Sequence, residues 1–231
     1  IERAGAVYQG LSEYQDNLNY KVKQQVDTIN DYGKRIKELN EEILKIESGQ
    51  QEKANDLRDE RNHLIDELSK MGHISVSEDV DGYVVIQFEG NDFVKDDMVN
   101  EIGVYEDPLT GFYTPYWEKF AKKTVNPDGS VDVNIESAKV YDMQQVISTD
   151  MNTDIGALKA ILFARGDHRA TYEDLADEQH YETNISQSII MNVQAEFDQL
   201  VNKVVNAIYY VLKDAAKVAN DENPGCGYMK D

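Results

Sequence analysis

The chain is short of several things on which enzymes and small secreted domains depend. Of its 231 residues one is cysteine, Cys226, so no intramolecular disulfide can form. That thiol stands in a Gly-rich tail with no basic or histidine neighbour in sequence to activate it. Proline is scarce, and the first stands at Pro108, so nothing breaks helices in the N-terminal third. Long apolar runs are missing. The longest lies near Val204 to Leu212 and is interrupted by Asn206, well below the ~18 residues of a membrane span. Positive charge is also in deficit: 23 Lys and Arg against 44 Asp and Glu give a net charge of −21, which repels nucleic acid and anionic membrane surfaces. The start, Ile1-Glu2-Arg3-Ala4-Gly5, has neither the basic cluster nor the apolar run of a secretory signal. Because it is not Met, and because the chain ends in a loop (Asn223-Pro224-Gly225-Cys226-Gly227) directly after its most apolar helix, the reading is of a processed or excised piece.

Catalytic patterns are missing as well. His63, His73, His168 and His180 show no i, i+4 pairing, and His180-Tyr181-Glu182 lacks the second histidine of a helical zinc site. Asp167-His168 near Asp174, Asp177 and Glu178 reads as a solvated acidic loop. Asp132-Val133-Asn134-Ile135-Glu136 begins like a calcium loop. It then has Ser137 where glycine is needed and Met143 where the bidentate glutamate belongs. There is no Gly-rich phosphate cradle and no nucleophile elbow. The expectation is no enzyme, no cofactor and no metal. Asn184-Ile185-Ser186 matches a glycosylation acceptor, but an N-capping role for Thr183 or Asn184 is the simpler use.

What is present is helical periodicity. From Val7 to Ile46 apolar residues recur in steps of three and four, through Leu11, Leu18, Val22, Val26, Ile29, Ile36, Leu39 and Ile43. That predicts one long helix, with Gly33 as an interruption on its seam and a stop near Gly49. A second, highly charged helix is predicted over Gln51 to Met71. Its narrow stripe is Leu57, Arg61 by its stem, Leu64, Leu68 and Met71, too polar for a core element. The short connection makes the two antiparallel neighbours. After Gly72 the period changes to two: Ile74 to Ser77, a turn at Asp81-Gly82, Tyr83 to Phe88, and, after Asn126-Pro127-Asp128-Gly129, Val131 to Ile135. Between them lies an irregular, aromatic stretch around Pro108 to Trp117. Tyr105, Phe112, Tyr113, Tyr116 and Trp117 read as filling of a small β subdomain. Ile155, Leu158, Ile161 and Leu162 mark a short helix ending near Gly166. A last long helix from Ile185 to Ala215 has the widest apolar face and is predicted to form the core, with Leu18, Ile29 and Ile36 packed on Phe197 and Val204.

The order of these elements, with particular residues, resembles the flagellar hook-associated protein 1 family, the hook–filament junction proteins. The carriers are Ile36-Lys37-Glu38-Leu39-Asn40; the run Asn55-Asp56-Leu57-Arg58-Asp59-Glu60-Arg61-Asn62-His63-Leu64 with Glu67-Leu68 and a hairpin after it; Gly156-Ala157-Leu158-Lys159-Ala160-Ile161-Leu162; and Phe197-Asp198-Gln199-Leu200 with Asn206. The family-motif residues are Asn55, Asp56, Leu57, Asp59, Arg61, Leu64, Leu68, Gly156, Leu158 and Leu162. The stretch from Lys95 to Asp142 carries none of the motifs on which the resemblance rests, and the family's terminal helical segments are expected to be missing here.

The expected fold is α+β, mainly α: an elongated antiparallel long-helix bundle with an inserted small β subdomain. Residues 1–72 would form the helix hairpin, 73–147 the β-rich insertion, and 148–231 the short helix, the core helix and a terminal loop. The resemblance implies a structural part of the bacterial flagellum joining hook to filament, extracellular, exported through the flagellar channel without a cleaved signal. Its implied partners are other copies of itself and neighbouring hook and filament proteins, with an export chaperone on the missing C-terminal segment, and neither nucleic acid nor membrane. The competing class is an extracellular adaptor or adhesin-like binding module, for which Tyr116 and Trp117 would have to form an exposed aromatic patch.

Overall fold

A computed structural model describes residues 2–48, 54–80, 82–143, 156–176, 181–182 and 185–222. The positions assigned above to Gly49, Asp81, Ile155, Asp177, Glu178, His180, Thr183, Asn184 and the tail with Cys226 lie outside the described residues. The fold is mainly α with an inserted β part. Helix α1 is Glu2–Glu47, α2 Asn55–Met71, α3 Ala157–Arg165 and α4 Ile189–Glu222. Two 3₁₀ turns, Tyr172–Leu175 and Ile185–Gln187, stand between α3 and α4. At 46 residues, α1 is about 70 Å long. It buries Leu18, Val22, Val26, Ile29, Ile36, Leu39 and Ile43 on one stripe, the seam read from the spacing. Gly33 lies on that stripe for a packing reason: a Cβ there would stand 2.5 Å from the Phe93 ring.

The strands form antiparallel pieces. β1 (Ile74–Glu78), β2 (Val84–Phe88), β3 (Asn91–Lys95) and β4 (Met98–Val99) make a sheet in sequence order; β5 (Ile102–Glu106) pairs with β6 (Tyr113–Trp117), and β7 (Lys122–Val125) with β8 (Val131–Asn134). The turns at Gly82 and Gly129 have φ of +89° and +86°, which glycine adopts without a Cβ penalty. The stretch around Pro108 to Trp117, expected to be irregular, is instead largely a hairpin, with Val104 opposite Pro115 and Ile102 opposite Trp117. Pro115 hid the strand because proline cannot donate to a ladder. Here only its carbonyl is used, accepting from the Val140 N–H.

The main core joins helices to strands. Val22, Val26, Ile29 and Ile36 of α1, Leu68 of α2, Val84, Ile86, Phe88, Phe93, Val94, Ile102 and Trp117 of the strands, and Leu158 and Leu162 of α3 form one cluster. Phe88, Phe93 and Trp117 meet with ring centroids 6.0 to 6.5 Å apart and tilted or edge-on planes, the favoured aromatic geometry. This corrects the expected packing of α1 on the last helix. Ile29 and Ile36 pack on the β part, whereas Val204 is 50% exposed. The reason is geometric. Gln194 bonds Gln15, and the Asp198 charge acts on Tyr8, so α4 runs antiparallel to α1 and soon passes its first turn. The hydrophobic face of α4 was legible; which surface it met was not.

Glu89 sits where α2 hands over to the sheet. Its backbone φ is +48°, and its Oε1 accepts from the His73 N–H at 2.8 Å. Burial pushes the Glu89 carboxyl above its ordinary range, with the His73 N–H and the Lys159 ammonium opposing. A raised carboxylate pKa means that folding favours the neutral acid, so the wild type loses stability as pH rises through that range. Glu89→Gln keeps the acceptor without the charge. It is expected to match the wild type at acid pH and to exceed it at pH 7; denaturant midpoints between pH 4 and 7 check this, and a variant less stable at pH 7 than at pH 4 relative to wild type contradicts it.

Candidate assembly surface

Among the described residues there is no group of three or more His, Cys, Asp or Glu that could hold a metal, and no helix is long and apolar enough to cross a membrane. The polar groups that matter are instead buried amides on the apolar stripe of α1. Asn40 donates from Nδ2 to the Val84 carbonyl at 2.9 Å and accepts the Val84 N–H on Oδ1 at 3.2 Å. Asn30 does the same to Ile102, at 2.8 and 3.0 Å. Asn19 donates to the Gly111 carbonyl at 2.9 Å and accepts the Tyr113 N–H at 2.8 Å. A carboxamide presents the donor and acceptor of a peptide group. Three asparagines therefore let a helix flank act as a strand edge. They stand about three turns apart, roughly 15 Å between neighbours.

Two of the three clamps carry a buried arginine. Arg61 of α2, 3% exposed, donates from Nη1 to Asn40 Oδ1 at 2.8 Å. Arg165 of α3, also 3% exposed, donates from Nη1 to Asn19 Oδ1 at 2.6 Å and to the Tyr113 carbonyl at 2.8 Å, and its guanidinium stacks 4.8 Å from the Phe112 ring centroid. Burial lowers the Arg61 pKa, and lowers that of Arg165 to about 10; Arg165 is still a cation at neutral pH. The charge is spread into neutral oxygens rather than paired with a carboxylate. Arg58 differs. It forks onto Glu47 across the α1–α2 corner, with Nε to Oε1 at 2.9 Å and Nη2 to Oε2 at 2.5 Å, and this bond holds the Glu47 carboxyl down to about 2.

Of the family-motif residues, Leu68, Leu158 and Leu162 meet in the main core, with Leu64 partly buried against it. Gly156 abuts the α2 terminus: a Cβ on it would lie 2.6 Å from the Gly72 Cα and 2.7 Å from the Met71 carbonyl oxygen. Arg61 is buried through its guanidinium, not merely its stem, which corrects the view of α2 as too polar for a core. Leu57 is half-buried, and Asn55, Asp56 and Asp59 are exposed; the structure does not bring these to a common point. Gln15, Asn19, Asn30, Arg165 and Gln194 were not singled out from sequence. The available signal was amides recurring on an otherwise aliphatic seam.

The surface itself lies on α4. Leu200, Val204, Val205, Ile208, Val211 and Leu212 are each more than 40% exposed and recur within three or four residues along one face, an apolar seam of the kind that marks a contact surface. The residues on which an adhesin-like patch was expected to rest are buried instead: Trp117 is 1% and Tyr116 7% exposed. Residues 1–214 match the family model described as the flagellar hook-associated protein FlgK helical domain. The chain belongs to that family. Among solved structures it is similar to the flagellar hook junction protein FlgK from Burkholderia pseudomallei, at 18% identity and a TM-score of 0.49, over 70% of this chain and 26% of that one. The chain thus spans about a quarter of the length of that FlgK structure. No curated protein matches it.

Proposed function

We propose that this chain is part of a structural protein of the bacterial flagellum that joins hook to filament, acting mechanically and not as an enzyme. Membership of the FlgK helical domain family supports the place. The exposed apolar seam of α4, mounted on a frame whose strands are clamped to a single 46-residue helix, is the observation that carries the role. A subunit that transmits torque needs stiff elements and an adhesive flank, and it needs no pocket. Its partners are other copies of itself and neighbouring hook and filament proteins, reached through that flank. Export proceeds through the flagellar channel, and an export chaperone acts on a C-terminal segment of the longer protein.

An antibody raised against this chain is expected to label the base of the filament, where it meets the hook, in electron micrographs of isolated flagella. Label distributed along the filament, or confined to the cell body, overturns the reading.

A further inference from the structure

Beside the direct Gln194–Gln15 bond, one stretch, residues 165–175, bonds to both α1 and the start of α4. Gln15 donates to the Arg165 carbonyl at 2.7 Å and to the His168 carbonyl at 2.8 Å, and itself accepts from Gln194 at 3.1 Å. The Arg169 guanidinium bonds both oxygens of Asp16 at 2.8 and 2.9 Å. From the other side, the Ala170 N–H donates to Gln194 Oε1 at 3.2 Å and the Tyr172 N–H to Asp198 Oδ2 at 3.0 Å. Asp174 closes the turn on itself by accepting the Thr171 N–H at 2.7 Å.

His168 lies at the centre of this stretch, half-buried. Its Nδ1 is 2.6 Å from Asp167 Oδ1 and its Nε2 3.3 Å from Asp174 Oδ1. Both ring nitrogens therefore face carboxylates, an arrangement that suits the imidazolium, in which both are donors. Among the described residues the charged and titratable groups on the elements around this stretch include Tyr8 and Asp16 on α1, Arg165 on α3, Arg169, Tyr172 and Glu173 on the stretch itself, and Asp198 on α4. Arg165 and Arg169 bond Asn19 and Asp16, and the His168 ring lies between Asp167 and Asp174. We propose that residues 165–175 form a proton-sensitive joint: the His168 imidazolium bridging Asp167 and Asp174 fastens the start of α4 to α1, and loss of its proton loosens that fastening.

The sign follows from the chemistry. The hydrogen bond to Asp167, with the Asp167 and Asp174 charges, raises the His168 pKa from 6.5 against the opposing effect of burial. A raised histidine pKa contributes stability that is fully present below the unfolded value and is lost as pH rises through the folded one. The joint is therefore tight near pH 6 and loosens towards alkaline pH. In an oriented assembly, that would alter the angle at which the apolar flank is offered.

Amide hydrogen exchange of the whole chain between pH 6 and 9, corrected for the intrinsic rate, tests this independently of any flagellar role. Protection at Ala170, Tyr172 and Asp174 is expected to fall several-fold across the range, while Val84 and Ile102, clamped by Asn40 and Asn30, hold steady and report that the fold persists. His168→Gln is expected to start at the low protection and to show no such pH dependence. If wild-type protection at the three joint amides is unchanged by pH, or if His168→Gln retains the wild-type profile, the joint is not proton-sensitive.

Discussion

Replacing Asn40 with leucine is expected to remove about 4 kcal/mol of stability, read from urea or guanidinium unfolding. Three buried partners lose their bonds together: the Val84 N–H, the Val84 carbonyl and the Arg61 guanidinium. An orphaned buried polar group costs ~1–3 kcal/mol, and a buried charge stripped of its partner ~3–5 kcal/mol; partial relaxation brings the sum down. Asn30→Leu is expected to cost less, ~2–3 kcal/mol, because among the described residues Ile102 is the only hydrogen-bond partner of its side chain and no charge is stranded. The decisive comparison is the double variant Asn40→Leu with Arg61→Leu, which should be less destabilised than the sum of the two single variants, since the second change removes the stranded cation. A loss below ~1 kcal/mol for Asn40→Leu would show that the clamp is incidental.

Gly156→Ala is the second large effect. Its φ of +103° and ψ of +137° cost a residue with a Cβ ~1–3 kcal/mol. The methyl would also press on backbone, the Gly72 Cα and the Met71 carbonyl, neither of which can rotate away. A loss of about 3 kcal/mol or more is expected, with α3 displaced from α2. Gly10→Ala is the control. That glycine is mid-helix with nothing within 4 Å of its added methyl, so alanine there should stabilise by ~0.5–1 kcal/mol. Equal effects at the two positions would refute the argument from packing.

The helices were legible because periodicity is a local property. α1, α3 and α4 fall where Val22, Val26 and Ile29, Leu158 and Leu162, and Val193 and Phe197 place them. The β5–β6 hairpin was not, because Pro115 and the aromatic run mask alternation and because its anchor, Asn30, is 72 positions from Ile102. The clamps as a whole were invisible for the same reason. An amide on an apolar stripe announces that it needs a partner but not which backbone supplies it. The exposed face of α4 shows the limit most plainly. Val204 and Ile208 carry the same signal as Val22 and Val26, and only tertiary geometry separates a seam already covered from one still open.

The three asparagine clamps hold the strands by their main chain, and their only side-chain partners among the described residues are Arg61 and Arg165 of the helices. Of the strands Asn19, Asn30 and Asn40 read only peptide groups, so the outer loops between the anchors can lengthen, shorten or change in sequence while each anchor stays in register and Phe88, Phe93 and Trp117 keep the core. The inner faces of the strands are fixed by the core, and the freedom lies at the turns. The outer loops, Leu109 at 93% exposure among them, are where such a subunit can vary its outward face without retuning the shaft.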